Sequence, residues 1–312
     1  MVYLALGFIL GTILGSLAKA IADRSLAGKS FFGRSYCPRC KKKLRWYDLF
    51  PLLSFLVLRG RCRFCRSMIG FEYPAVEFVM GVAVAILFWQ AGSNLPSLSD
   101  QYQLVNFSLG LVMKVFMATV LMILALTDLK ETILPDRITV PAIVVVLFSL
   151  VSLIIYRVWY LYQGLQSSEL GRYLLSRTDY FPRHILYAAD SLLGGLVMAS
   201  LIGLFFLTLI LLTRGRGMGG GDLKFGVLLG LYFGYPDALA AIMLAFFLGS
   251  VAALGLVISG RRHFGQTVPF GPFLSLGALL ALFWGREIIN YYQNFNLLVN
   301  PLLPLLNQLH LK

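Results

Sequence analysis

Residues 104–128 read LVNFSLGLVMKVFMATVLMILALTD, an apolar run that ends on an aspartate. A helix needs about 20 mostly apolar residues to cross the hydrocarbon core of a bilayer. The stretch therefore predicts a transmembrane helix that carries a carboxylate at one end. The whole chain has the same character: 58% of its 312 residues are hydrophobic and 13% are charged, against about 25% charged in a soluble domain. This composition excludes a water-soluble globule and a disordered chain.

Seven other stretches have a similar apolar character, so the predicted fold is an all-α polytopic membrane protein with about eight transmembrane helices. The sixth stretch is short and rich in glycine. To be accommodated in the bilayer, it would have to be tilted, inserted only part of the way, or extended by the residues on either side. The predicted spans are residues 2–22, 74–91, 104–127, 138–156, 191–213, 225–234, 238–260 and 268–291.

The basic residues orient these helices. The chain has a net charge of +13, and 19 of its 27 Lys and Arg fall in four loops on one side of the predicted bundle: 22–73, 128–137, 214–224 and 261–267. Cytoplasmic loops of membrane proteins are enriched in Lys and Arg, so we assign this side to the cytoplasm. The charge excess is then an orientation signal rather than a sign of nucleic-acid binding. Residues 157–190 form a longer polar insertion, which this topology places outside.

All four cysteines lie in the first of these loops, as two Cys-x-x-Cys pairs separated by 21 residues: Cys37 with Cys40, and Cys62 with Cys65. Two such turns can wrap one tetrahedral Zn²⁺ with four thiolates, which predicts a small zinc-ribbon-like cytoplasmic loop domain. Disulfides are the alternative, and the reducing cytoplasm disfavours them. We expect the zinc to be structural, because about 50 residues with few large apolar groups cannot fold on core burial alone.

Carboxylates are scarce, and three of them stand at predicted cytoplasmic ends of spans. Asp128 follows the third span, Asp136 comes eight residues later, and Asp222 ends a glycine-rich run. Two carboxylates held about 3 Å apart share a proton, so one can activate a water as base while the other acts as acid. Ordinary polar helix caps are the structural alternative. None of the three histidines lies in a nucleophile motif, so no Ser-His-Asp set competes.

Two ionisable residues, Glu77 and Lys114, lie inside predicted spans. Charged groups in lipid are costly and are functional candidates by default, with an interhelical ion pair between the two as the structural alternative. Glu72 precedes the same helix as Glu77 and could line its cytoplasmic mouth.

A series of ordered motifs resembles those of the bacterial prepilin leader peptidases, the bifunctional aspartic enzymes of type IV pilus and type II secretion systems. The resemblance runs over nearly the whole chain. Asp128 lies six residues before the motif LPDRITVP. The motifs are GS (15–16), RSYCPRC (34–40), WYD (46–48), PLLS (51–54), RGRCRFC (59–65), YPAVE (73–77), LPDRITVP (134–141), GMGGGDLK (217–224) and VPFGPF (268–273).

This resemblance implies an activity and the residues that carry it. Members of the family cut the basic leader from prepilins and pseudopilins on the cytoplasmic side, and many N-methylate the new N-terminal residue with S-adenosylmethionine. The two catalytic aspartates of the family correspond to Asp128 and Asp222, the second in a Gly-x-Gly-Asp pattern with Gly219 and Gly221. The methyltransferase activity is associated with the large cytoplasmic loop, which here carries the cysteines. Supporting residues are Asp136, Lys224, Glu72 and Glu77.

The same interpretation divides the chain into a first helix (1–22), a four-cysteine loop domain (23–73), a transmembrane peptidase core (74–295) and a C-terminal tail (296–312). It places the protein in the bacterial inner membrane. Expected partners are prepilin or pseudopilin substrates, the bilayer, and pilus or type II secretion assembly proteins, with no nucleic acid. The Lys and Arg of the cytoplasmic face repel a basic leader, so its recognition would fall to carboxylates such as Asp48, Glu72 or Glu77.

Two other classes of protein stay open on the sequence. A transporter would use the glycine-rich sixth span as a half-helix site, with the carboxylates as a proton relay near the middle of the bilayer. A non-catalytic scaffold of a secretion machine would use the zinc loop as an anchor and would tolerate replacement of both aspartates. The aspartate pair in its glycine context favours the enzyme over both.

Overall fold

The computed structural model describes residues 1–31, 33–37, 39–93, 95, 101–177, 179–215, 218–260 and 269–299. Over these residues the chain is a helical bundle, and the loop that carries the cysteines adds two isolated β-bridges. Residues 261–267 of the predicted basic loops, and all but the first few residues of the predicted tail, lie outside the described residues. The helices are α1 (Val2–Leu26), α2 (Leu53–Val57), α3 (Glu72–Ser93), α4 (Gln101–Glu131), α5 (Asp136–Gln166), α6 (Glu169–Arg177), α7 (Tyr180–Leu212), α8 (Gly220–Phe233), α9 (Asp237–Ile258) and α10 (Gly271–Val299), with a 3₁₀ turn at Trp46–Leu49.

Seven of the described helices are long and apolar enough to cross a membrane: α1, α3, α4, α5, α7, α9 and α10. The remaining predicted span is α8, whose 14 residues rise about 21 Å, less than the hydrocarbon core of about 30 Å. The prediction that this helix is short is confirmed. It runs antiparallel to α7, since Gly230 faces Ala199 while Gly226 faces Phe206. The all-α polytopic fold is confirmed as well.

Glycines bring α1 and α3 into close contact. Gly7, Gly11 and Gly15 lie on one face of α1, and a Cβ added at Gly11 would stand 2.4 Å from the Met80 carbonyl oxygen. At Gly15 the added Cβ would stand 2.9 Å from the Glu77 Cα atom. Small residues at this spacing let two helix backbones approach in lipid, where packing rather than water exclusion drives association.

An ion cluster joins α1, α3 and α4 at the end of the bundle where α1 ends and α3 begins. Lys19 is 1% exposed and lies 2.9 Å from Asp23 and 3.0 Å from Glu72. Lys130, in the last turn of α4, lies 2.8 Å from the same Asp23 and 3.3 Å from Glu72. Two cations and two carboxylates therefore balance one another and fix the three helices together.

The two ionisable residues of the predicted spans do not pair with each other. A Glu77 carboxylate oxygen accepts a hydrogen bond from the Leu52 amide at 2.8 Å. Lys114 has other charged neighbours, namely Asp237, Arg286 and Glu287. The predicted alternative of one interhelical pair is therefore wrong, because the two residues lie in separate polar clusters.

The insertion at 157–190 is mostly helical. It consists of the last turns of α5, the short α6 and the first turns of α7. Tyr102 of α4 stacks on Tyr160 of α5 at a centroid distance of 4.8 Å, and aromatic rings of this kind are enriched at membrane interfaces. The polar insertion is therefore largely a continuation of the helices α5 and α7 beyond the predicted spans, with α6 between them.

Replacement of Gly11 by leucine should destabilise the protein, because the side chain would have to occupy the space of the α3 backbone. We expect a loss of about 1–3 kcal/mol, measured as a lower thermal midpoint of the detergent-purified protein. Gly110→Leu is the matched control, since a Cβ at Gly110 has no atom within 4 Å. Equal midpoints for the two variants would contradict the close packing of α1 on α3.

Candidate active site

Asp128 lies in the last turn of α4 and is 5% exposed. Its Oδ2 atom accepts a hydrogen bond from the Gly271 backbone amide at 2.8 Å. Gly271 begins α10, and the amides and dipole at a helix N-terminus favour a negative charge. A Cβ added at Gly271 would stand 2.7 Å from Oδ2, so only glycine leaves room for this carboxylate.

Asp222 lies in the first turn of α8 and is half-buried. Its Oδ2 atom accepts a hydrogen bond from the Gly219 amide at 3.1 Å, which makes it a helix cap. Gly221 lets this turn approach the loop between α4 and α5, because an added Cβ would stand 2.9 Å from the Leu134 Cβ. The glycine run thus places the start of α8 against the loop that follows Asp128.

The structure places the two predicted aspartates at neighbouring helix ends. The charge of Asp128 acts on the Asp222 carboxylate, so the two groups lie within electrostatic range of each other. Asp136 is not part of this pair. Both of its carboxylate oxygens accept hydrogen bonds from Lys224 Nζ at 2.7 Å, and this contact ties the start of α5 to α8.

This arrangement suits acid-base chemistry on a water molecule. Each aspartate has one oxygen occupied by a backbone amide, and neither Asp128 nor Asp222 has a Lys or Arg in ion-pair contact among the described residues. Two neighbouring carboxylates without a compensating cation hold a shared proton more readily than two separate charges. Asp222 does cap α8, as the structural alternative predicts. Capping uses only its Oδ2 atom, so Oδ1 is available to bind a water molecule.

The four cysteines form one cluster. Their Sγ atoms all lie within 4.8 Å of one another, and those of Cys37 and Cys65 are 3.9 Å apart. A tetrahedral Zn²⁺ with Zn–S bonds of about 2.3 Å has sulfur–sulfur edges of about 3.8 Å. All four thiols are free. The donor set and its spacing therefore fit a four-cysteine zinc site.

Both cysteine pairs are built on the same turn. The amide of the first cysteine donates to a carbonyl five residues on, as Cys37 to Lys42 (3.0 Å) and Cys62 to Ser67 (2.9 Å). Hydrogen bonds from the hydroxyl and the backbone amide of Ser67 lower the pKa of the Cys65 thiol to about 6. A thiolate is the form that binds a metal.

The carboxylates considered for leader recognition are engaged inside the chain. Asp48 lies 2.8 Å from Arg63 Nε, and its side chain is 2% exposed. Glu72 belongs to the ion cluster with Lys19, and Glu77 binds the Leu52 amide. Leader contact at these residues stays a prediction, and it would require these internal contacts to open.

Sequence reasoning did not identify two features of this region. Gly271 belongs to the motif VPFGPF, and the sequence assigned it no role. Glycine followed by proline is nevertheless typical of the start of a helix, where a backbone amide is free to bind a carboxylate. Lys19 lies inside a predicted span, and the criterion that selected Glu77 would also have selected it. Lys130, which shares Asp23 and Glu72 with Lys19, gave no signal, because a lysine just after a span is common.

Comparison with known proteins extends these observations. The Bacterial Peptidase A24 N-terminal domain matches residues 9–91. The prepilin leader peptidase/N-methyltransferase of Bacillus subtilis is 30% identical over 290 residues, which cover 93% of this chain and 97% of the relative. The proteins of the same name from Aeromonas salmonicida (28% identical, 83% of this chain and 74% of the relative) and Burkholderia pseudomallei (30%, 81% and 67%) are also similar. No solved structure matches the chain. Identity at this level over nearly the full length of both chains shows that this protein belongs to the prepilin leader peptidase/N-methyltransferase family, a family of enzymes.

Proposed function

We propose that this protein is a membrane-embedded aspartic endopeptidase of the bacterial inner membrane. It removes the basic leader from type IV prepilins or pseudopilins on the cytoplasmic side, and it N-methylates the new N-terminal residue with S-adenosylmethionine. Its partners are these substrates, the bilayer and the assembly proteins of a pilus or type II secretion system. The names of the relatives support the substrate and the two activities.

The placement of Asp128 and Asp222 within electrostatic range of each other is the observation that carries the peptidase proposal. The two residues come from different helices, and each is held by one backbone amide. Both stand at helix ends, in the last turn of α4 and the first turn of α8. A transporter relay would place its carboxylates near the middle of the spans. A scaffold would have no need of two buried or half-buried carboxylates without a cation.

The proposed reaction is hydrolysis by an activated water. One carboxylate takes a proton from the water as the oxygen attacks the scissile carbonyl, and the other donates a proton to the carbonyl oxygen, which gives a gem-diol. Collapse of this intermediate breaks the carbon–nitrogen bond, and a proton passes to the departing amine. The apolar helix of the substrate lies among the spans while its leader stays in the cytoplasm.

Zinc has a structural part in this proposal. Cys37, Cys40, Cys62 and Cys65 would hold the ion and keep the loop between α1 and α3 folded. Within the described residues, none of the four cysteines shares a hydrogen bond with Asp128 or Asp222. In this proposal the two aspartates carry out peptide hydrolysis, and the zinc loop has no part in that step.

Asp128→Asn and Asp222→Asn should each lower prepilin cleavage by about 10²–10⁴-fold, because an amide can neither accept nor supply the shared proton. Cleavage is followed by mass spectrometry of a prepilin incubated with membranes. Asp190→Asn is the matched control, since Asp190 is exposed on α7, far along that helix from its end near α8. Unimpaired cleavage by either Asp128→Asn or Asp222→Asn would defeat the proposed pair.

Gly271→Ala should lower cleavage at least tenfold while the protein stays folded, because the new Cβ would displace the Asp128 carboxylate from its amide. Tenfold corresponds to about 1.4 kcal/mol of transition-state stabilisation. Gly249→Ala is the control: it lies near Phe270, but its added Cβ has its nearest contact at an ordinary 3.5 Å. Equal activity in the two variants would show that the Gly271 contact does not position Asp128.

The purified protein should contain one zinc ion per chain, measured by inductively coupled plasma mass spectrometry. Cys37→Ser or Cys62→Ser should abolish this content and expose the loop to protease. Ser54→Ala is the control, because Ser54 lies in the same loop between the two cysteine pairs and is not in the ligand set. A zinc-free wild-type protein would contradict the structural role of the metal.

A further inference from the structure

The part of the loop between the two cysteine pairs exposes a cluster of large apolar side chains. We call this cluster the loop face, and its members are Trp46, Phe50, Leu53, Leu56 and Val57. Trp46 is 74% exposed and Val57 is 76% exposed. The Trp46 and Phe50 rings are in contact at a centroid distance of 5.8 Å, and α2 packs against the 3₁₀ turn. An exposed apolar cluster of this kind marks a surface that binds a membrane or another protein.

The loop face carries no charge. Leu53, Leu56 and Val57 stand at positions i, i+3 and i+4 of α2, so they share one side of that helix. Residues 46–57 contain one charged residue, Asp48, and its side chain is 2% exposed. Exposure of such a side to water is unfavourable, and an apolar medium that covers it stabilises the loop.

The loop face lies beside the membrane spans rather than beyond their ends. The Leu52 amide, at the start of α2, donates to Glu77 Oε2 at 2.8 Å. Because α3 begins at Glu72, Glu77 lies about 7.5 Å farther along this helix, toward the middle of the span. Helices that lie in the membrane interface bury their apolar side by about 5–10 Å. The start of α2 is therefore at a depth that matches an interfacial segment.

The neighbouring spans expose apolar residues at the same level. Leu17 of α1 and Phe78 of α3 are both about half exposed. The residues next to them, Ser16 and Glu77, line one cavity together with Phe55 of α2. The loop segment is thus level with the surface of α1 and α3 that contacts the bilayer, and lipid that covers those spans can also reach the loop face.

Basic residues flank the loop face in the sequence. Arg45 precedes it, Arg59 and Arg61 follow it, and all three are exposed. Interfacial segments combine an apolar side with Lys and Arg, and Trp is enriched at the same depth of the membrane. Cations beside an apolar surface are complementary to the anionic headgroups of lipids. Charge complementarity therefore adds to depth as an argument for a lipid leaflet as the occupant.

From these observations we infer that the loop face docks into the leaflet at the end of the bundle where α1 ends and α3 begins. The apolar side chains enter the boundary between headgroups and acyl chains, and the flanking arginines contact the headgroups. Docking covers the exposed side of α2 and holds the four-cysteine cluster at a fixed height beside the bilayer. It needs only the spans and the loop, so it is independent of the two proposed activities.

The test uses the full chain in nanodiscs of phosphatidylcholine and phosphatidylglycerol, with Trp46 as the only tryptophan. Phospholipids with brominated acyl chains should quench the Trp46 fluorescence by about twofold, because a docked indole lies at the acyl boundary. The matched control adds Lys42→Trp and Trp46→Phe, since Lys42 is exposed in the same loop, and its fluorescence should respond to aqueous acrylamide instead. The common background is Trp89→Phe, Trp159→Phe and Trp284→Phe.

Each outcome supports the docking or overturns it. Quenching of Trp46 by brominated lipid that is no stronger than quenching in the Lys42→Trp control would overturn it. A photoreactive p-benzoylphenylalanine in place of Leu56 should form an adduct with lipid on irradiation. An adduct with a second copy of the chain or with a substrate protein in its place would show another occupant and overturn the docking. The thermal midpoint reports the folding of the variants, and if the tryptophan background unfolds, the adduct at position 56 decides.

Discussion

A carboxylate buried at the end of α4 determines how the helices meet around the candidate site. Asp128 is 5% exposed, and a buried carboxylate is stable only with hydrogen-bond donors around it. The Gly271 amide provides one donor, so α10 has to begin against α4. The start of α8 is held at the same centre by other contacts, the close approach of Gly221 to Leu134 and the ion pair of Lys224 with Asp136. Three helices that are distant in sequence therefore meet around this side chain.

A second constraint attaches the first part of the chain to this centre. Lys19 is almost fully buried, and an uncompensated ammonium at that depth would be strongly destabilising. Asp23 and Glu72 compensate it, and Lys130 of α4 balances the second negative charge. The glycine contacts between α1 and α3 allow this approach, because a larger residue at Gly15 would meet the α3 backbone at Glu77. The cysteine-bearing loop is thus held beside the helix end that carries Asp128.

The sequence was sufficient for features that depend on local pattern. Hydropathy predicted the spans and the shortness of α8, and two Cys-x-x-Cys turns predicted the cysteine cluster. Features that depend on the register between helices were not predictable. A glycine such as Gly11 permits close packing, but the sequence does not specify which helix packs against it. For the same reason the pairing of Glu77 with Lys114 was wrong, and the contact of Gly271 with Asp128 was missed. The helical form of 157–190 was missed because its polar composition hides the continuation of α5 and α7.

The two proposed activities have a chemical order that the arrangement of α4 accommodates. A peptide nitrogen shares its lone pair with the carbonyl group, so it is not a nucleophile until hydrolysis has released it as an amine. Methylation must therefore follow cleavage, and the new N-terminus must pass from the aspartates to the methyl donor. The last turn of α4 carries Asp128 and also Lys130, whose ion pair with Asp23 ties this turn to the end of α1, from which the cysteine-bearing loop leads on. We expect the amine to make this passage while its apolar helix stays in the bilayer.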